Sequence, residues 1–331
     1  MVIRRIAVVG AGIAGLACAS RLAASGHQVS VYDKGRGVGG RAATRRVRVG
    51  PSDLRFDHGA QFFTARDPAF RTLVDRLVSA GAVESYANTV TSITAKERSL
   101  LPEEPRFVGK SGMNRMAKAL AEGLDVKTSC QVTECIREAG GWRLTLSTGA
   151  RTGLFDYVVI AAPAEQATEL LLPIAPSLAQ ESKAARTSPC WAAMLAFSPP
   201  IQVNFEAARV RDLSPLAWVA QTNGNGGDYS CWVLHATTDW SRENIDQSAE
   251  WVADELARAF SRLAGIGVQS LQLSAHRWRY AQVEVSVGTP FAWDADLGIG
   301  VCGDWRLGPR IELAWQSGDA LGSAISQTNP L

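Results

Sequence analysis

The sequence predicts an α/β protein: a discontinuous Rossmann-type domain that binds a dinucleotide, joined to a second domain on a mixed, mainly antiparallel β-sheet. Three observations predict it. The run Ile6-Ala7-Val8-Val9-Gly10-Ala11-Gly12-Ile13-Ala14-Gly15-Leu16 reads as an apolar strand, a glycine turn and a helix. A second strand, Val29-Ser30-Val31-Tyr32, follows that helix and ends in an acid, Asp33. From about residue 164 to residue 290, strand-like stretches replace the alternation of strand and helix.

Taken in order, Gly10 permits the tight turn after the first strand, Gly12 lets the backbone approach a pyrophosphate, and Gly15 lets the helix pack against the sheet. The start of that helix, at Ile13 and Ala14, offers free N–H groups and the positive end of a dipole. Asp33 then stands where its carboxylate accepts the hydroxyls of an adenosine ribose. An ordinary glycine-rich turn lacks this flanking strand, helix and acid. Lys34-Gly35-Arg36-Gly37-Val38-Gly39-Gly40-Arg41 adds a second group of donors, with Lys34, Arg36, Gly40 and Arg41 placed to reach another part of the ligand. Arg36, Arg41, Arg45, Arg46 and Arg48 make a local basic cluster, expected to be a solvated loop with one or two arginines on the cofactor phosphates.

Further along, residues 112–120 read as a helix, followed by a strand from Val126 to Val132, with Val132 a cofactor contact. Trp142–Leu146 and Asp156–Ala162 return two more strands, closed by Pro163. Near the C-terminus, Ile299-Gly300-Val301-Cys302 is a buried strand and Gly303-Asp304 a turn. A helix follows with Pro309 in its first turn, Ile311 near its start, and Ala314, Ser317, Leu321, Ala324 and Ile325 on one face. The cofactor domain is therefore assigned to residues 1–70, 106–163 and 291–331, and the substrate domain to 71–105 and 164–290. Strands are expected over Trp191–Phe197, Leu216–Thr222, Tyr229–Ala236 and Ser270–Tyr280, with an amphipathic helix from Gln247 to Leu263. Asn223-Gly224-Asn225-Gly226-Gly227-Asp228 has no apolar helix after it and reads as a hairpin turn rather than a phosphate loop. No second complete dinucleotide fingerprint stands in mid-chain, so a nicotinamide nucleotide, if it takes part, binds as a substrate.

The segment after Asp33 resembles the double-glycine arginine motif of FAD-dependent amine oxidases. Phe56-Asp57-His58-Gly59-Ala60-Gln61-Phe62-Phe63-Thr64-Ala65-Arg66-Asp67 resembles the corresponding block of renalase-type flavoproteins, as do Arg106–Met113, Trp232–Thr237 and His276–Ala281. The resemblance runs from end to end. It implies the amine oxidase / p-hydroxybenzoate hydroxylase-like two-domain fold and FAD as the cofactor. In the resembling families the aspartate matched by Asp304 holds the ribityl chain and the following helix points at the pyrimidine edge. Ala60 and Gln61 are expected beside the flavin. No Cys or His lies in a covalent attachment motif, so the FAD is expected to be non-covalent.

The chain has 331 residues, 46% hydrophobic and 20% charged, which suits two soluble globular domains. With 34 basic and 32 acidic residues the net charge is +2, which points to neither a nucleic-acid nor an acidic partner. No secretory signal is seen and no apolar stretch reaches the ~20 residues of a membrane span, so a soluble, cytoplasmic protein is expected. Six scattered cysteines without a C-x-x-C pair indicate neither zinc nor a redox disulfide, and buried free thiols are expected.

The flavin carries the chemistry, and the candidates for orienting a substrate are Gln61, Thr64, His235, His276 and Trp278. His235 and His276 either face the cleft or are satisfied within the sheet, and His58 reads as structural. Phe62 borders the same block; Trp191, Trp232, Trp278 and Tyr280 either wall a planar ring or belong to the core. The scarcity of acid–base groups favours a donor that needs no deprotonation. The resemblance implies oxidation of misreduced 2- or 6-dihydro isomers of NAD(P), with electrons passed to O2 to give H2O2. An amine oxidase or desaturase of the same superfamily is the alternative, and a non-enzymatic flavin-bound scaffold is the third reading.

Overall fold

The computed structural model describes residues 2–86, 88–222, 228–267 and 269–327. A six-stranded sheet holds, in order, Ala292–Asp294, Ile299–Val301, Tyr157–Ile160, Arg5–Val9, Gln28–Tyr32 and Asp125–Lys127. All neighbours are parallel except the edge strand Ala292–Asp294. Val8 stands between Val159 and Val31, and these residues are fully buried, as parallel strands covered on both faces require. Helices Ile13–Ala24 and Ile311–Gln327 pack closely because Gly318 faces the Ala14 carbonyl and Gly322 faces the Cys18 carbonyl. Among the described residues no helix is long and apolar enough to cross a membrane.

Strand Val126–Val132 of the sequence reading is in fact two elements. Asp125–Lys127 ends the sheet; the chain then crosses Asp33 and Gly35, with Ser129 in the left-handed region at φ +55°. Val132–Glu138 leaves the sheet and pairs instead with Gly141–Leu146 as a hairpin. The basic run is also corrected. Arg45–Val49 is not a loop but a strand paired with Ser52–Phe56, because Leu54 and Phe56 bury against Met194 and Val233 of the second sheet.

The second sheet has seven strands in the order Gln272–Val285, Arg186–Phe197, Ser230–Ala236, Leu216–Gln221, Ala207–Val210, Val90–Ile93 and Arg98–Leu100. Its neighbours are antiparallel except for the parallel pair Ala207–Val210 and Val90–Ile93, so the mixed, mainly antiparallel architecture stands. The expected hairpin turn falls on residues 223–227, outside the described residues. Helix Ala249–Ala264 starts where the Ser248 side chain accepts from Trp251 N. It buries Val252, Leu256 and Phe260 against the sheet face that carries Trp191, Leu195 and Trp232.

Residues 71–105, expected in the substrate domain, divide between the two cores. Helix Pro68–Ser79, capped by the Asp67 carboxylate, buries Phe70, Val74 and Leu77 in the core beside helix Ile13–Ala24. Val83–Ser85 pairs with Phe107–Gly109, and only the strands from Val90 onward join the second sheet. Helical periodicity in the sequence marks which face is buried but not what covers it.

Candidate active site

The two glycine motifs meet through their backbones. Gly10, at φ +113°, makes the turn and its N–H donates to the Tyr32 carbonyl at 2.8 Å. Gly39 N–H donates to the Ala11 carbonyl at 2.8 Å and lies in a parallel bridge with Gly12. A side chain on Gly15 would overlap the Gly10 carbonyl, so Gly15 seats the helix and is not part of the cavity wall. Asp33 receives the Ala11 N–H on one carboxylate oxygen and the Gly35 N–H on the other, both at 2.6 Å. Each oxygen keeps a further lone pair for a ribose hydroxyl.

Arg41 is the junction of three segments. Its guanidinium pairs with Asp304 at 2.7 Å and donates to the Ala281 carbonyl at 3.3 Å, while its own carbonyl accepts from Ala60 N at 2.9 Å. Gly59 follows His58 because any side chain there would strike the Arg41 carbonyl. Glu312, buried in the first turn of its helix, accepts from both Arg66 N and Asp67 N at 2.6 Å and so anchors the block that begins at Phe56. Sequence reasoning missed Glu312: its partners lie some 245 positions away.

These segments wall a cavity of about 1650 Å³. Gly10, Gly12, Ile13, Ala14, Asp33, Lys34, Arg36, Gly40, Arg41, Ala60, Gln61, Val132, Gly303, Asp304 and Ile311 all line it. The cavity fits an FAD: the position a Cβ would occupy on Gly12 is open space, a cradle beside a helix start, and the volume exceeds the ~300–1,000 Å³ of one small-ligand pocket. The two half-buried cysteines, Cys130 and Cys190, also reach the wall, whereas Cys18, Cys135, Cys231 and Cys302 are buried.

The opposite wall is a row of side chains across five strands of the second sheet. His276 is paired in register with Ala192, Ala192 with His235, His235 with Trp218, and Trp218 with Arg209. Strand alternation puts this row on the face away from helix Ala249–Ala264. Hence Trp218, His235, His276, Trp278 and Tyr280 line the cavity. Trp191 and Trp232, on the other face, are core, and Trp191 Nε1 donates to the Asn244 carbonyl. Thr64 lies outside the lining, because Phe63 before it bridges Phe107 and turns the chain into the core.

The histidines form one cluster. His58 and His276 lie edge to face at 5.0 Å, and Trp278 stands 5.1 Å from His58 and 4.4 Å from His276. The His58 carbonyl accepts from His235 Nε2 at 3.1 Å and from Trp278 Nε1 at 3.0 Å, so His58 is part of the wall as well as of the frame. Burial pushes the His58 imidazole down to about 3, helped by His276 and Arg45, and pushes His235 down to about 4 against the pull of the His58 carbonyl. Burial and the nearby Arg45 also lower His276. All three are neutral at pH 7. Gln61, from the block that begins at Phe56, closes directly onto this wall, its Oε1 accepting from Trp218 Nε1 at 2.6 Å.

Charge on the lining is uneven. Its acids are Asp33, Glu169 and Asp304; the wall from Cys190 to Gln282 includes Arg209 and Arg211, while Arg277 and Arg279 turn to Asp246 at 3.8 and 3.7 Å and Arg277 packs over the Trp191 ring. Arg45 and Arg46 add to the same cavity from the first hairpin. The basic residues Arg209 and Arg211 and the indole of Trp218 escaped sequence reasoning; the alternation of Leu216–Gln221 was the available signal for Trp218.

Comparison with known proteins gives two family matches: NAD(P)-binding Rossmann-like domain over residues 8–77, and flavin containing amine oxidoreductase over residues 78–291. Among solved structures, an Exiguobacterium protein provisionally assigned as a protoporphyrinogen oxidase superposes with a TM-score of 0.77 at 13% identity, covering 98% of this chain and 99% of that one. Cyclohexylamine oxidase from Brevibacterium oxydans gives a TM-score of 0.75 at 12% identity, covering 98% and 99%. At such identities the likeness shows the fold. A 36-residue stretch is 67% identical to 4,4'-diapophytoene desaturase (4,4'-diaponeurosporene-forming) of Staphylococcus haemolyticus. That match spans 11% of this chain and 7% of the desaturase.

Proposed function

The chain belongs to the flavin containing amine oxidoreductase family, with FAD as its cofactor, and from that premise we propose that it is a renalase-like oxidase of misreduced dihydronicotinamide dinucleotides. The reaction takes a 2- or 6-dihydro isomer of NAD(P), O2 and a proton to NAD(P)+ and H2O2. A bound FAD would supply the two-electron chemistry that links oxidation of the donor to reduction of O2. Residues expected to hold it are the Gly10–Gly15 turn, Asp33, Arg36, Arg41 and Asp304.

The observation that carries the reading is the charge of the second-sheet wall. Arg209 and Arg211, on the cavity wall of the second sheet, suit a donor that carries phosphates and disfavour an ammonium ion. The neutral histidines agree with it. A dihydropyridine gives up a hydride without first losing a proton, so the site needs no strong base, and His235 held near 4 is a weak one. Gln61, His235, His276 and Trp278 then orient the donor.

Anaerobic mixing tests the proposal. The 2- and 6-dihydro isomers of NAD(P) are expected to bleach the flavin, while cyclohexylamine, the amine named for the structurally similar Brevibacterium oxidase, leaves it yellow. Bleaching by an amine and not by the isomers would establish the amine oxidase alternative; bleaching by a polyene would establish the desaturase one.

A further inference from the structure

We propose that Gln61 and His235 form a donor–acceptor pair that recognises a primary carboxamide on the substrate, with Trp218 fixing the direction of the Gln61 amide. An indole N–H only donates, so the Gln61 atom 2.6 Å from Trp218 Nε1 is necessarily the carbonyl oxygen. The amide nitrogen is thereby turned the other way. Gln61 is 8% exposed, lines the cavity, and its Nε2 has no hydrogen-bond partner among the described residues. A buried N–H pair in that position calls for an acceptor, since leaving it unmet carries the full desolvation penalty of the group.

The same reasoning orients His235. Its Nε2 meets the His58 carbonyl at 3.1 Å, and a carbonyl only accepts, so Nε2 carries the hydrogen. The neutral ring is left with a lone pair on Nδ1. Burial favours this neutral form. His235 and Trp218 are register partners on adjacent strands, which brings the Gln61 donor and the His235 acceptor to neighbouring places on one wall. A primary carboxamide carries an acceptor oxygen and a donor nitrogen on one carbon and complements both. An ammonium group offers donors only and a carboxylate acceptors only. The pairing rests on the dihydronicotinamide reading, because that ring carries a carboxamide.

The test is binding of NAD+ and of 3-acetylpyridine adenine dinucleotide to the FAD-loaded protein, followed by perturbation of the flavin absorption. The ketone keeps the acceptor oxygen and lacks the donor nitrogen. Wild type is expected to bind NAD+ about tenfold more tightly than the ketone. Gln61→Leu should weaken both by about tenfold or more with FAD retained, and His235→Phe should weaken NAD+ alone and erase the preference. Trp218→Phe should weaken both to a smaller degree, because the amide is present but unheld. Loss of FAD from Gln61→Leu would assign that side chain to the cofactor and overturn the proposal, as would unchanged binding in Gln61→Leu or in Trp218→Phe. If wild type binds neither dinucleotide and an amine bleaches the flavin, the proposed function falls as well. Failure of the pair alone leaves the isomers still bleaching the wild-type flavin.

Discussion

At Asp33 one carboxylate serves both the loop and its ligand. Its two oxygens already accept from Ala11 and Gly35 N–H, so it closes the first glycine turn onto the second while offering its remaining lone pairs to a ribose. Asp33→Ala removes both loop bonds, charge-assisted contacts of about 1.5–3 kcal/mol each, and is expected to yield mostly apoprotein. The flavin-to-protein absorbance ratio after purification checks it, and an unchanged ratio would remove Asp33 from the cofactor site. Residues of this kind were legible in the sequence because glycine spacing and an acid after a strand encode local geometry. Glu312 and Trp218 were not, because each acts on a segment brought to it only by folding.

Among the elements, the contact of helices Ile13–Ala24 and Ile311–Gln327 decides how two helix starts share one cavity. Gly318 is placed where a Cβ would press on the Ala14 carbonyl. Gly318→Ala is therefore expected to force the helices apart, lowering stability by about 1–3 kcal/mol despite the better helix propensity of Ala. Thermal melting of the variant checks this, and FAD content should fall with it, since Ile13 and Ile311 both line the cavity. Strand alternation explains the tryptophans in the same way. A residue's parity along its strand can be counted from sequence, but whether that parity faces helix Ala249–Ala264 or the cavity cannot; Trp191 and Trp278 went opposite ways.

Over the whole molecule, enclosing the histidine cluster between two domains makes stability depend on pH. His58 and His235 are held down to about 3 and about 4, and His276 is lowered, whereas in the unfolded chain each titrates near 6.5. Below pH 6.5 the unfolded state takes up protons that the native state refuses. Stability is thus fully present above that value and is lost as pH falls toward 4, by up to about 1.4 kcal/mol per pH unit for each buried histidine. Denaturant midpoints between pH 7 and pH 4.5 should show this slope, and His235→Phe should reduce it. A midpoint independent of pH over that range would contradict the burial of the cluster.

What the sequence by itself determined was the dinucleotide turn, the acid that follows it, the second glycine motif, the C-terminal Gly303-Asp304 turn and the change from alternating to strand-rich pattern. All are local, since a turn, a helix start or a strand face is set by residues within a few positions of one another. Tertiary structure alone decided that the basic run is a hairpin rather than a loop, that residues 71–86 pack beside the first helix, and that His276, His235, Trp218 and Arg209 stand in one row. Strand register and the choice of packing partner depend on contacts between separate segments of the chain, such as Ala192 with His276 and Leu54 with Met194. No local pattern of residue types encodes them; burial of the apolar faces against one another does.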